Sequence, residues 1–324
     1  MSAPKNNKDE DKPPGNLVVS ISAHLRGLAK TSPAVRKQFF PSEEEFNCSS
    51  SSTIDPLLEE KYTKVKGLVH KYSSRVLITL SASCASYCRF CTRRRMVGDI
   101  EKGRLTKNDI AGMIEYITSH SLINEVIISG GDPFTVPELL VHTMKKFKNL
   151  NQVKIIRVHT RMPVSNPKGV TPKILKAIKA ITNKPVYLSI HFEHPDELTK
   201  PTIEAIFALR KAGAILLSQS VFLKGVNDSF ETLRSLFTRL AELGIRPYYL
   251  YRCDPVSGAE HFVVPFGKEV KIMTKLRRVL SGIACPTYVI DAPNGSGKIP
   301  VPLNNWHFES DQYEDFNSKR VKVV

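Results

Sequence analysis

The sequence contains no run of eighteen uninterrupted apolar residues, so it has no candidate for a helix crossing a membrane. Its start, Met1 to Gly15, lacks both the apolar core of a signal peptide and the arginine-rich, acid-poor character of a transit peptide. Cysteine is too sparse for a disulfide framework. Of six cysteines, Cys84, Cys88 and Cys91 are bunched, while Cys48, Cys253 and Cys285 stand far apart, a usage that suits a reducing compartment and a metal site. No internal repeat is evident. These absences predict a soluble, cytoplasmic protein without a membrane partner.

Acidic residues are also in deficit. Lys and Arg number 47 against 31 Asp and Glu, a formal net charge of +16. Such a field attracts nucleic acid, acidic proteins or small anionic cofactors, and a solvated lysine-rich surface would look the same.

The most informative stretch is Cys84-Ala85-Ser86-Tyr87-Cys88-Arg89-Phe90-Cys91, followed at once by Thr92-Arg93-Arg94-Arg95. A four-iron cluster usually takes four cysteines, so a compact trio leaves one iron to a different ligand. A zinc site with a distant fourth ligand, or three unrelated buried thiols, compete with that reading. The spacing, with Phe90 before the third cysteine, resembles the radical S-adenosylmethionine (SAM) superfamily. That resemblance implies a [4Fe-4S] cluster held by Cys84, Cys88 and Cys91, whose unique iron is chelated by the methionine amino and carboxylate groups of SAM.

With 324 residues, 41% of them hydrophobic, the chain can form one large α/β domain or two ordinary ones. Residues 1–16 hold almost nothing that could be buried and read as a disordered tail. Residues 17–73 read as a helical and loop extension, and 304–324 as a short C-terminal tail. Between them, strand-length apolar runs alternate with helical periodicity. Strands are expected at 75–80, 125–129, 153–159, 185–191, 214–219, 245–251 and 287–290, with helices between them, one of them capped by Asp228. Such alternation predicts a parallel sheet closing into a barrel or partial (β/α) barrel over 74–303.

In such barrels the chemistry sits at the carboxyl ends of the strands. Here those ends carry, in turn, the cysteine trio, Ser129-Gly130-Gly131-Asp132, His159-Thr160-Arg161, His191-Phe192-Glu193-His194, Gln219-Ser220, Tyr251-Arg252-Cys253-Asp254 and Asp291 to Lys298. Each alone has a structural explanation as a turn, a cap or a core polar group. Together they predict a single active site. Gly130 and Gly131 suit close approach of backbone to a ligand, because neither has a Cβ. Ala292 to Lys298 nearly spells a phosphate-binding loop, but Ile299, Pro300 and Pro302 follow where that loop needs Ser or Thr and then a helix. A lysine on a glycine-rich loop suits imine formation with a carbonyl cofactor, which points to pyridoxal 5′-phosphate (PLP).

From Arg75 to Pro302 the motifs resemble those of the lysine 2,3-aminomutase family, including its short members in the elongation factor P β-lysine pathway. The matching stretches are Cys84 to Arg95, Ser129 to Pro133, His159 to Arg161, Gln219-Ser220, Gly225 to Asp228, Arg246 to Tyr251 with Asp254, and Asp291-Ala292-Pro293 leading to Gly297-Lys298-Ile299-Pro300. The resemblance implies a radical SAM partial barrel and an isomerase. Its cluster would split SAM to a 5′-deoxyadenosyl radical that takes a hydrogen from the substrate β-carbon, and the amino group, held through PLP, would migrate from the α- to the β-carbon. It assigns Lys298 to PLP at rest and Arg75 to PLP contact, with Gly130, Gly131, Asp132, His159 and Gln219 also on the cofactors. Arg93 would take the substrate carboxylate, and Asp254 and Asp291 its side-chain ammonium. Two carboxylates facing one cation favour lysine and repel glutamate, while arginine, also cationic, stays open.

Two positions depart from the family pattern: Phe90 stands where lysine-using members carry His, and Glu193 where they carry Asn. The family's C-terminal cysteine cluster for zinc is missing, so no structural zinc is expected. The resemblance further implies a flavodoxin- or ferredoxin-type electron donor, elongation factor P as a candidate partner and a homodimer as a candidate assembly. A radical SAM enzyme acting on transfer RNA is the competing function, suggested by the net charge and Arg93-Arg94-Arg95. It is disfavoured because those arginines lie in the cofactor loop.

Overall fold

The computed structural model describes residues 17–47, 52–101, 103–292, 295, 297–303, 306–307, 312–314 and 319–322. The expected tail 1–16, Cys48, Pro293, Asn294, Ser296 and much of 304–324 lie outside the described residues.

Ten strands form one sheet in sequence order: β1 Thr63–Val65, β2 Leu68–Tyr72, β3 Arg75–Ser81, β4 Glu125–Gly130, β5 Ile155–Thr160, β6 Val186–His191, β7 Ile215–Val221, β8 Arg246–Tyr251, β9 Thr287–Asp291 and β10 Lys298–Pro300. Strands β3 to β9 are all parallel, while β1–β2, β2–β3 and β9–β10 pair antiparallel. Since β1 and β10 are the two edges, the sheet is an open, partial barrel. Residues 63–72, expected within the helical extension, are thus a hairpin joined to the barrel's first parallel strand. The short strands Trp306–His307, Gln312–Glu314 and Arg320–Lys322 make a separate antiparallel sheet.

The helices are α1 Ala23–Leu28, α2 Pro33–Phe39, α3 Glu59–Tyr62, α4 Lys107–Thr118, α5 Pro137–Asn149, α6 Met162–Ser165, α7 Pro172–Lys179, α8 Lys200–Lys211, α9 Phe230–Glu242 and α10 Phe266–Val279. Their starts are chemically marked. Thr106 and Asp109 form a reciprocal capping box on α4, and Thr171 and Thr199 cap α7 and α8. The cap of α9 is Ser229, not Asp228. Asp228 instead accepts from Gly225 N at 2.8 Å and pairs with Lys268 at 2.6 Å.

Side-chain parity along the strands separates packing from chemistry. Val76, Ile78 and Leu80 of β3, Val126 and Ile128 of β4, Ile156 and Val158 of β5, and Leu188 and Ile190 of β6 join helix residues such as Ile110, Met113, Leu140, Met144, Leu236 and Leu240 in the main core. The opposite parity carries Arg75, Ser129, Arg157, His159, Ser189, His191, Gln219, Tyr249, Tyr251 and Asp291 toward the barrel interior. The interior face is thus mixed, with Ile127, Leu217 and Val289 buried among these polar groups, while the helix side is apolar.

Gly130 closes β4 with φ 117°. A Cβ there would lie 2.5 Å from Ser81 O, and one on Gly131 would lie 2.4 Å from Ser83 O. These glycines allow the β4 loop to lie against the backbone that leads into Cys84. We expect Gly130→Ala to lower unfolding stability by at least about 2 kcal/mol, from backbone strain plus the clash; urea titration with an unchanged slope checks this.

Candidate active site

The cysteine loop is held from outside by the N-terminal segment. Tyr87 N donates to Ser20 O at 2.9 Å, Ser22 N to Ser86 Oγ at 3.0 Å, and Arg89 N to Gln38 O at 2.8 Å. Arg89 is 1% exposed and gives its guanidinium to Glu45 and to Leu17 O. Buried hydrogen-bonded charges of this kind fix a loop that has no regular structure of its own.

The three arginines after Cys91 point inward to carboxylates. Arg93 grips Glu59 with Nε–Oε2 2.9 Å and Nη2–Oε1 2.7 Å, and its Nη1 donates to Ser129 Oγ and Gly130 O, each at 3.1 Å. Arg94 pairs with Glu45 at 2.8 Å, and Arg95 with Asp55 and Glu60, both at 3.1 Å. Burial opposes the charge on Glu59, but Arg93 outweighs it and holds that carboxyl below its ordinary value. The basic triplet is internal framework, which removes the local support for a nucleic-acid surface.

Asp132 ties two strand ends together. It accepts from Thr160 Oγ1 at 2.8 and 2.9 Å, Arg161 N at 2.8 Å and Phe134 N at 3.0 Å. That tie fixes the Asp132 carboxylate at the strand end where the cofactor contact is expected. The neighbouring Arg161 donates to Cys88 Sγ at 2.8 Å and to Glu197 at 3.1 Å. The sequence placed Arg161 in a motif but gave it no task; here it is a positive charge against a cysteine sulfur.

Deeper in, His159 Nε2 and Ser189 Oγ are buried without a hydrogen-bond partner. Burial and then the Arg157, Arg93 and Lys298 charges drive the His159 imidazole well below its ordinary pKa, so it is neutral near pH 7. Gln219 Nε2 lies 3.3 Å from Tyr251 Oη. Both departures from the family pattern meet at His191. Its ring stacks on Phe90 at 6.2 Å, and its Nδ1 is 3.3 Å from Glu193 Oε1. Glu193 is fully buried and its other oxygen accepts from Val221 N at 2.8 Å. Burial pushes it well above the usual carboxylate range, so it adds less negative charge than the sequence suggests.

At the open side, antiparallel pairing sets Lys298 opposite Asp291. Lys298 Nζ is 2.9 and 3.3 Å from the Asp291 oxygens and 5.1 Å from the Tyr251 ring centre. Asp254, from the loop after β8, feels the same group of charges. Its pKa is pushed up to about 7, first by burial and next by Asp291, with Lys298 and Lys71 opposing. Lys71, missed in the sequence, is drawn below its ordinary value by burial, with Lys298 acting the same way and Asp291 opposing. Arg75 stands at the amino end of β3, its guanidinium 3.7 Å from the Tyr72 ring centre. Tyr72 Oη lies beside Gly297, 3.1 Å from where a Cβ would be, so Arg75 reaches the Lys298 loop through an aromatic intermediary.

These residues fit the implied groups. Among the described residues no three His, Cys, Asp or Glu side chains converge on a single ion. A cubane cluster does not require it, because each cysteine binds a different iron. Burial raises all three thiols, Cys91 to about 11, so positive iron and the Arg161 donor are what would stabilise them as thiolates. The orphaned polar atoms of His159 and Ser189, with Lys298 at the mouth, suit a polar organic cofactor inside the barrel.

Comparison with known proteins agrees with this geometry. The Radical SAM superfamily model matches residues 78–237. The L-lysine 2,3-aminomutase of Acetoanaerobium sticklandii is 40% identical over 271 residues, covering 83% of this chain and 65% of that protein. A provisionally named L-lysine 2,3-aminomutase of Aquifex aeolicus is 38% identical over 272 residues, covering 83% of this chain and 73% of that protein. A radical SAM methyltransferase structure from Sphaerobacter thermophilus aligns over 71% of each chain with TM-score 0.51 and 17% identity, a likeness of fold alone.

The Asp254 charge gives a signed pH expectation. Its folded pKa of about 7 exceeds the unfolded value of about 4. The stability it contributes is therefore present below pH 4 and lost as pH rises through 7. Asp254→Asn should raise the melting temperature of the cofactor-free protein more at pH 8 than at pH 5, as read by calorimetry.

Proposed function

The chain belongs to the lysine 2,3-aminomutase family of radical SAM proteins, and we propose that it moves the α-amino group of L-lysine to the β-carbon to give β-lysine. The observation carrying this reading is the charge arrangement of Asp254 and Asp291 around Lys298.

Cys84, Cys88 and Cys91 would hold the [4Fe-4S] cluster and Lys298 the PLP. When bound, these groups supply a carbon-centred radical from SAM and a carbonyl attachment for the migrating nitrogen. The protein's own contribution is electrostatic. Once Lys298 is engaged with a cofactor it is no longer the cation on Asp291, and Asp291 together with Asp254 can receive the substrate ε-ammonium. A carboxylate side chain at that position would face repulsion, which disfavours glutamate. Neutral His159 and the Gln219 amide can donate or accept without adding charge. Gly130 and Gly131 bring the β4 loop beside the cysteine loop, where a methionine moiety would lie.

The resemblance to short family members extends the proposal to supply of β-lysine for elongation factor P, and the net charge of +16 suits an acidic flavodoxin or ferredoxin as reductant. No helix among the described residues is long and apolar enough to cross a membrane.

Two measurements test this reading. Borohydride reduction of the PLP-loaded protein followed by peptide mass analysis should place the pyridoxyl group on Lys298, and a label on another lysine contradicts the assignment. Asp254→Asn should raise the lysine KM by about 30-fold or more, the scale expected on removing one partner of a buried charge pair, with a smaller effect on kcat.

A further inference from the structure

The segment 52–62 crosses the mouth of the barrel as a strap. Thr53 bridges Val256 through Thr53 N–Pro255 O at 3.1 Å and Ser257 N–Thr53 O at 3.2 Å. Its middle is tied by Asp55 to Arg95 at 3.1 Å and by Leu57 O to Lys71 Nζ at 3.3 Å. Immediately after these ties Leu58 has φ 51°, the one positive φ at a non-glycine among the described residues. This left-handed conformation costs of order 1 kcal/mol for a branched side chain, and it turns the next residue, Glu59, onto Arg93.

The contact uses up the side of the guanidinium best suited to a carboxylate. An arginine has five N–H groups, and paired recognition needs two parallel ones. Nε and Nη2 of Arg93 are on Glu59, and Nη1 is on Ser129 Oγ and Gly130 O. Glu59 has a second cation at hand, because Arg95 Nη2 lies 3.8 Å from Glu59 Oε2. It can turn away from Arg93 without leaving its charge unpaired.

Resting on the reading that Arg93 takes the substrate α-carboxylate, we infer that Glu59 is a specificity-determining residue that competes with that carboxylate for the same two N–H groups of Arg93. A substrate gains a two-bond grip only by moving Glu59 toward Arg95, and the strap with it. The exchange replaces one carboxylate by another. The net benefit of the α-carboxylate is therefore small, and discrimination falls to the side-chain end at Asp254 and Asp291. A ligand without the carboxylate has no competitor to displace and leaves the strap in place.

Calorimetric titration of the PLP- and SAM-loaded, unreduced protein with L-lysine and with L-lysinamide separates the possibilities. Glu59→Gln, which keeps the shape but removes the charge, should tighten lysine binding by about 10-fold and leave lysinamide binding unchanged; the lysinamide value also shows that the variant is folded. Amide exchange in 52–62 should rise when lysine binds to the unsubstituted protein and stay constant with lysinamide. If Glu59→Gln weakens lysine binding or leaves it unchanged while lysinamide binding is preserved, the competition is overturned and Glu59 is a fixed support for Arg93. If neither ligand binds the unsubstituted protein, the lysine reading itself fails.

Discussion

The mouth of the barrel depends on one cross-strand contact, the ammonium of Lys298 on the carboxylate of Asp291. Antiparallel pairing of β9 and β10 brings the two residues opposite each other although they are seven apart in sequence. The hairpin is what converts a glycine-containing loop into a positioned amine. Asp254 and Lys71 are placed around that contact, and the pKa of Asp254 responds to it directly. An acidic pair whose bonded cation is Lys298 is poised for exchange: whatever engages that lysine frees Asp291 for a different ammonium.

A second group of charges holds the cysteine loop. Glu45, Glu59 and Asp55, all from the segment before β1, neutralise Arg89 and Arg94, Arg93, and Arg95 respectively. Breaking a buried pair of this kind leaves an uncompensated charge, so the N-terminal segment and the cysteine loop are fixed together. Arg161 adds a hydrogen bond to Cys88 and is itself held by Gln38 and Glu197. The cysteines thus sit among fixed cations, the setting that stabilises thiolates bound to iron.

Much of this was legible in the sequence because it was local. The cysteine spacing, the capping box at Thr106 and Asp109, the alternation of β-branched runs with helical periods, and the polar strand ends all read directly, and the parallel strands occur where predicted. What did not read were contacts between distant segments. The carboxylate partners of Arg93, Arg94 and Arg95 lie between 34 and 49 residues away, so the sequence showed the triplet in the cofactor loop without showing what neutralises it. Lys71 lay in a stretch expected to be helical, and only the β2–β3 hairpin shows it beside the site. The bonds that tie Asp132 to Thr160 and to the backbone of Arg161, from the next strand end, were likewise not legible. The glycines did indicate close approach, and the sequence did not show that the chain's own backbone at Ser81 and Ser83 is also approached there.

The central claim is that this arrangement of carboxylates and lysine serves amino-group migration on a cationic amino acid. The most direct measurement is regio- and stereospecific amino-acid analysis after anaerobic incubation of the iron-reconstituted, reduced protein with SAM, PLP and L-lysine, arginine or glutamate in parallel. The account predicts that lysine is converted to β-lysine and glutamate is left unchanged. Conversion of glutamate with lysine untouched would contradict it.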